Sequence, residues 1–394
     1  MTHTRHKLAL LGALYLSQGL PYGFFTQALP ALLRQLGRSL PEIGAASLLA
    51  LPWALKFLWA PLVDRYWSAR LGRRRSWILP LQALTAAFMA VLALVEPSAD
   101  LTWVLVGFLV ANLLAATQDI ATDGLAVSLL TEQERGLGNG VQVAGYRVGM
   151  IVGGGALLVL YDHIGWAGVF GSMSMLLLLA SVPIALHAEG TSAPAEAHDG
   201  VSIFEVLRRP GMGPWMAVLV AYKFGEALAG AMLRPMLVDL GLSMADIGWL
   251  LGTAGFAAGL VGAVLGGWAA GRWGRRETLV LAGVLQAVTV GAYLLPAVGI
   301  ATAWVPLALL VTAEHLIGGV ATAALFTAMM DRCDPDSGGT DYTLQASAVV
   351  ISTGTAAALS GLLAEPLGYA THFAIGGGLS LAGTALLVLL WPKR

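Results

Sequence analysis

Long apolar runs separated by short polar stretches organise this chain from end to end. With Gly, Pro and charge clusters taken as boundaries, the apolar segments fall near 7–34, 41–63, 76–95, 101–130, 137–160, 166–187, 213–237, 245–270, 278–297, 303–330, 341–364 and 368–391. Runs of about 18 to 25 residues suffice to cross a hydrocarbon core at 1.5 Å rise per residue. Stretches such as Met175 to Ile184 and Leu379 to Leu390 do not alternate in polarity, so they do not read as barrel strands. The pattern predicts an all-α membrane protein with twelve transmembrane helices.

Composition agrees with that reading. Of 394 residues, 57% are hydrophobic and 11% charged, against roughly 25% charged in soluble domains. A lipid bilayer is therefore the expected surrounding. The net charge of −1 offers no field for nucleic acid, and the single cysteine, Cys333, excludes an internal disulfide or a multi-cysteine metal site. Arg5 and Lys7 precede an apolar run that continues to about Leu33 without a small-residue cleavage site, which predicts a retained first span.

Alternate loops can be tested for orientation by their positive charge. With the N-terminus inside, sixteen of the twenty-two Lys and Arg residues fall on the inner side, among them Arg70, Arg135, Arg272, Arg276, Lys393 and Arg394. Arg34, Arg38 and Arg234 fall outside, so both termini are expected in the cytoplasm. Lys56, Arg147 and Lys223 lie within spans. The chain also repeats itself: Leu36 to Gly44 (LGRSLPEIG) returns as Leu240 to Gly248 (LGLSMADIG), and Gly72 to Ser76 (GRRRS) as Gly274 to Thr278 (GRRET). Two six-helix halves, 1–187 and 213–394, follow, joined by a cytoplasmic linker, 188–212, with a short surface helix near 201–209. Parallel halves of this kind place the solute site near the midplane between them.

The segment Lys56 to Tyr66 (KFLWAPLVDRY), followed by Gly72 to Trp77 (GRRRSW), resembles the loop signature of the major facilitator superfamily in its AmpG-type variant. Gln118 to Asp123 (QDIATD), Glu134-Arg-Gly136 and Gly145 to Gly149 (GYRVG) resemble the fourth and fifth helices of the muropeptide permeases and their acetyl-CoA transporter relatives. The opening Tyr15 to Pro30 (YLSQGLPYGFFTQALP) resembles the siderophore permeases of the RhtX/FptX type. The resemblance implies the superfamily's fold and proton-driven import across a bacterial inner membrane. It ranks a ferric siderophore first as solute and a muropeptide second, with no cofactor. A monomer is expected.

Charged groups inside a bilayer cost about 2.5–3.5 kcal/mol each on insertion scales, so each in-span charge calls for a role and a partner. Asn112, Asp119 and Asp123 stand at i, i+7 and i+11 and share one face of the fourth span. The fifth offers Gln142 and Tyr146 with Arg147, whose guanidinium suits Asp119 or Asp123; the rival reading is a permanent ion pair tying two helices. Lys223 and Glu226 stand at i, i+3 in the seventh span, and Glu314 adjoins His315 in the tenth. Asp119, Asp123, Glu226 and Glu314 are the expected proton-coupling set, with Asp123 or Glu314 as the titrating group. Tyr15, Gln18 and Tyr22 on the first span, and Tyr342 and Gln345 on the eleventh, offer aromatic and amide faces for an organic solute. Together with Gln142, Tyr146, Arg147, Lys223 and His315 they form the expected binding set, each open to the plainer role of helix-to-helix hydrogen bonding.

By the resemblance, Asp64, Arg65, Gly72, Arg73, Arg74 and Arg275 act as a cytoplasmic gate; setting topology is the simpler role. Gly145, Gly149 and Gly153 form a small-residue ridge suited to close packing. No Ser-His-Asp or metal-ligand spacing and no phosphate-loop sequence is present, which excludes the common enzyme classes and a nucleotide-driven pump. A non-transporting sensor on the same fold stays open.

Overall fold

The computed structural model describes residues 2–29, 33, 47–95, 101–189 and 201–391. Pro30, Arg34, Arg38, the Leu36 to Gly44 copy of the repeat, linker residues 190–200, Lys393 and Arg394 lie outside the described residues. Helices run α1 Thr2–Gly23, α2 Leu51–Leu55, α3 Ala60–Arg65, α4 Arg75–Leu92, α5 Leu101–Leu129, α6 Arg135–Met150, α7 Leu157–Leu186 and α8 Ile203–Arg208. They continue as α9 Met212–Tyr222, α10 Phe224–Asp239, α11 Met244–Ile247, α12 Phe256–Arg272, α13 Arg275–Ala292, α14 Leu294–Ala297, α15 Trp304–Met330 and α16 Gly338–Leu390.

Ten helical stretches among the described residues are long and apolar enough to cross a bilayer. The last, Pro335–Leu390, turns at Gly368 (φ 74°, ψ 163°) and so supplies two of the expected spans. Gly165 (φ 64°) likewise breaks α7 between the fifth and sixth. The expected second span is in pieces for a covalent reason: Pro52 and Pro61 sit in the first turns of α2 and α3, where a missing N–H is harmless. A 3-10 turn, Lys56–Leu58, joins the pieces. By contrast α1 passes through Pro21 and widens into a π turn, Phe24–Ala28. The Leu240 to Gly248 copy of the repeat starts α11 as a reciprocal cap, with the Ser243 hydroxyl accepting from the Asp246 amide and the Asp246 carboxylate accepting from both Ser243 donors.

Burial is inverted relative to a water-soluble protein. Val159 is 72% exposed and Leu362 70%, while Lys56, Asp64, Arg74 and Asp123 are buried. Apolar surface of this extent is stable in lipid, and charges are retained inside where they find partners.

The described residues form two compact units. The first comprises 1–131, 144–203 and 333–347; the second comprises 132–143, 204–332 and 348–394. In the first unit the core is aromatic: Phe24 packs edge-on to Phe170 at 4.9 Å and stacks on Phe108 at 5.8 Å. There α1 meets α6 and its π extension through glycine. A methyl group on Gly149 would overlap the Leu16 carbonyl and one on Gly153 the Leu20 carbonyl, so the ridge seats the first span in close contact. In the second unit α12 and α15 approach in the same way, with Gly262 against Leu316 and Gly319 against Gly259.

Candidate functional site

The first unit gathers its in-span charges at one place. The Asn112, Asp119 and Asp123 face of α5 meets the broken second span, where the 3-10 turn brings the Lys56 ammonium into contact with Asp119 and to 3.8 Å from Asp123 Oδ2. The Tyr15 hydroxyl donates to Asp123 Oδ1 at 2.8 Å. One turn before Lys56, Trp53 Nε1 donates to Asn112 Oδ1 at 3.0 Å, and the Trp53 ring lies 5.6 Å below the ammonium. Tyr22, Trp53 and Tyr146 close one side, with ring centres 5.4 Å, 5.7 Å and 6.3 Å apart. Arg147 follows Tyr146 on α6 and is half-buried.

Lys56 was visible in the sequence only as an unassigned cation inside a span. Its assignment needs the break that Pro61 imposes, because an unbroken helix would have phased it differently. Gln18 is buried in α1 with neither amide atom hydrogen-bonded. Tyr342 and Gln345 are buried in the same unit. Gln345 Nε2 is directed at Cys333 Sγ, 3.4 Å, and the Asp341 carbonyl, 3.1 Å.

A second polar group lies in the second unit. Lys223 occupies the joint between α9 and α10 and pairs with Glu226, with Thr322 Oγ1 3.2 Å from its ammonium. Glu314 on α15 accepts from Gln286 Nε2 at 2.9 Å and lies 2.8 Å from His315 Nδ1. The Tyr293 hydroxyl is buried without a hydrogen bond. Glu226 and Gln286 both approach Gly318, which lacks the side chain that would push them apart. Gln142, also in this unit, is buried on α6. Gln286, Tyr293 and Thr322 were not singled out in the sequence; a lone amide in an apolar run, as Gln286 is, was the available signal.

The loop motifs form two further charged groups. In the first unit Arg74, 1% exposed, donates to Asp64 Oδ1 at 2.5 Å, while Asp64 Oδ2 accepts from the Thr340 amide and hydroxyl at 2.6 Å and 2.7 Å. Asp64 thereby caps the first turn of α16, where a carboxylate meets unpaired N–H groups. Glu189 serves α4 in the same manner, accepting from the Arg74 and Arg75 amides at 3.0 Å and 3.1 Å. Arg73 donates to the Asp64 and Asp336 carbonyls. Burial, then repulsion from Arg74, lowers the Arg73 pKa from its usual value. Arg65 is exposed and lies 5.5 Å from the Tyr66 ring. In the second unit Asp331 joins Arg135 at 3.1 Å and Arg275 at 2.7 Å. The repeated glycines share a left-handed backbone, Gly72 with φ 98° and Gly274 with φ 103°.

Residues 7–164 match the family model described as acetyl-coenzyme A transporter 1, and residues 215–394 match the major facilitator superfamily. The anhydromuropeptide permease of Escherichia coli K12 is 29% identical over 395 residues, covering 97% of this chain and 79% of that one. An uncharacterised protein of Haemophilus influenzae is 30% identical over 393 residues, 95% of this chain and 92% of its own. The superfamily transporter FucP, in its outward conformation, shares the fold with a TM-score of 0.70 at 14% identity, covering 98% and 99% of the two chains. The expected closeness to siderophore permeases, read from the opening helix, is not supported; the muropeptide-permease likeness of the fourth and fifth helices is. This chain is a multi-pass membrane transporter, not an enzyme, and it belongs to the major facilitator superfamily as a permease of the AmpG-like group.

Proposed function

We propose that this permease imports an anhydromuropeptide, a saccharide joined to a peptide, across a bacterial inner membrane by alternating access, drawing on the proton gradient. Both termini lie in the cytoplasm on this reading, as the positive charge of the inner loops suggests. The relatedness to anhydromuropeptide permeases supports the solute class. The observation that carries the reading is the buried group of the first unit, where Lys56 lies between Asp119 and Asp123 beside the Tyr22, Trp53 and Tyr146 rings. Aromatic faces suit sugar rings, and the open amide of Gln18 suits hydroxyl or peptide groups. The two acids sharing one ammonium supply a place where a proton can be taken up and released. The Asp64, Arg74 and Thr340 contacts act as a latch that must open in each cycle.

Uptake of a radiolabelled anhydromuropeptide into proteoliposomes with an acidic exterior tests this. Accumulation that collapses with a protonophore, and falls about tenfold in Trp53→Ala, is expected. Binding without accumulation would favour a sensor, and neither binding nor uptake would remove the solute assignment.

A further inference from the structure

The second unit holds a cavity of about 820 Å³ that the solute site does not use. It opens where α6 and α13 begin and α15 ends, and its wall carries four guanidinium groups, Arg135, Arg275, Arg276 and Arg332, against three carboxylates. The arginines are not equivalent. Arg135 and Arg275 are engaged by Asp331. The Arg332 guanidinium lies 3.7 Å from the Trp215 ring centre and 4.7 Å from that of Trp391 and donates to the Ala328 carbonyl at 2.8 Å, which holds it in place. Arg276 makes no ion pair or side-chain hydrogen bond among the described residues, although it is half-buried in the cavity wall. Glu132 and Glu277 are exposed. Glu277 stands in the first turn of α13 with its carboxylate beside Gly274, so an acid already meets the positive end of that helix and the cavity's field rests on its arginines.

The rest of the wall is apolar. Val388 and Leu389, the latter 78% exposed, end the last span and continue from the cavity onto the lipid-facing surface, with Trp391 beside them. A ligand that uses both parts has an anionic head and a hydrocarbon chain. A bare phosphate would leave the apolar lip unused and fill little of the volume. We propose that this cavity binds the phosphate headgroup of an anionic glycerophospholipid of the surrounding leaflet, with Arg276 as its main contact, Arg332 as the second, and Leu389 seating an acyl chain. Basic pockets at the cytoplasmic ends of membrane helices suit such headgroups.

The test uses the full chain in neutral detergent, with thermal melting and native mass spectrometry read in parallel. Phosphatidylglycerol is expected to raise Tm and to remain bound as a discrete adduct, whereas phosphatidylcholine and inorganic phosphate at equal concentration do neither. Arg276→Gln should bind phosphatidylglycerol about fivefold more weakly, and Arg276→Lys, which keeps the charge, should bind it almost as wild type does. Equal responses to phosphatidylglycerol and phosphatidylcholine would overturn the site. So would an undiminished adduct in Arg276→Gln. Full protection by inorganic phosphate would reassign the cavity to a soluble anion and overturn the lipid.

Discussion

Asp64 and Thr340, 276 residues apart in sequence, are joined by two hydrogen bonds, from the Thr340 amide at 2.6 Å and its hydroxyl at 2.7 Å to one carboxylate oxygen. The other oxygen takes the Arg74 guanidinium. One buried carboxylate thus binds a loop arginine and the first turn of a long helix at once. Its effect depends on the side chain being in place, because both partners would otherwise be buried donors without an acceptor.

Asp64→Ala should therefore lower the unfolding free energy by about 3–5 kcal/mol, the range for breaking a buried pair. Arg65→Ala, one residue on and exposed, should change it by less than about 0.5 kcal/mol. Equilibrium unfolding of both variants in mixed micelles checks this; equal losses at the two positions would show that the ion pair is not what holds the loop.

Gly72 and Gly274 adopt φ 98° and φ 103° at equivalent points of the repeated loop. A Cβ at Gly72 would also press on Glu189, and one at Gly274 on Glu277. Alanine at either site should cost about 1–3 kcal/mol through backbone strain. The same unfolding measurement reads it, and a neutral Gly274→Ala would mean that the second loop tolerates another path.

Lys56 is held by two carboxylates in a buried site. Lys56→Met should destabilise by about 3–5 kcal/mol by stranding negative charge. Adding Asp119→Asn to it should recover more than half of that loss. A double variant no more stable than the single one would indicate that Lys56 acts through packing on Trp53 instead.

The parts legible in the sequence were those governed by period and composition. The Asn112, Asp119 and Asp123 face follows from helical spacing, and the Gly145, Gly149 and Gly153 ridge from i+4 spacing; the ridge packs closely on α1, while the acids meet Lys56 and Tyr15, partners other than the Arg147 that spacing named. Contacts set by tertiary structure were not legible. Nothing local to Asp64 points to Thr340, and Asp331 gave no sign that it would join two arginines. Glu314 and His315 show a different gap. Adjacent residues on a helix do not normally face each other, yet the imidazole folds back to 2.8 Å from the carboxylate, a rotamer choice that spacing does not encode. The siderophore likeness rests on one short opening motif and finds no support among the relatives, whereas the muropeptide-permease likeness extends over the longer fourth and fifth helices.

Asp123 and Glu314, the two candidate proton carriers, differ in their surroundings. Glu314 accepts from Gln286 and is covered by His315, so its oxygens are both occupied by groups fixed on α13 and α15. Asp119 is in direct contact with Lys56, which makes it the ammonium's resting partner. Asp123 is 3.8 Å from the same ammonium and accepts the Tyr15 hydroxyl on its other oxygen at 2.8 Å. A shift of Lys56 from Asp119 toward Asp123 would pass the ammonium from one carboxylate to the other, and such an exchange is what a coupling site requires. Asp123→Asn should therefore abolish accumulation driven by a pH gradient while leaving solute exchange across the membrane measurable. Glu314→Gln should lower both to a similar extent by loosening the second unit's polar group. Paired assays of gradient-driven uptake and of exchange at equal pH distinguish the two. Retention of gradient-driven uptake by Asp123→Asn, with its loss in Glu314→Gln alone, would move the proton site to the second unit.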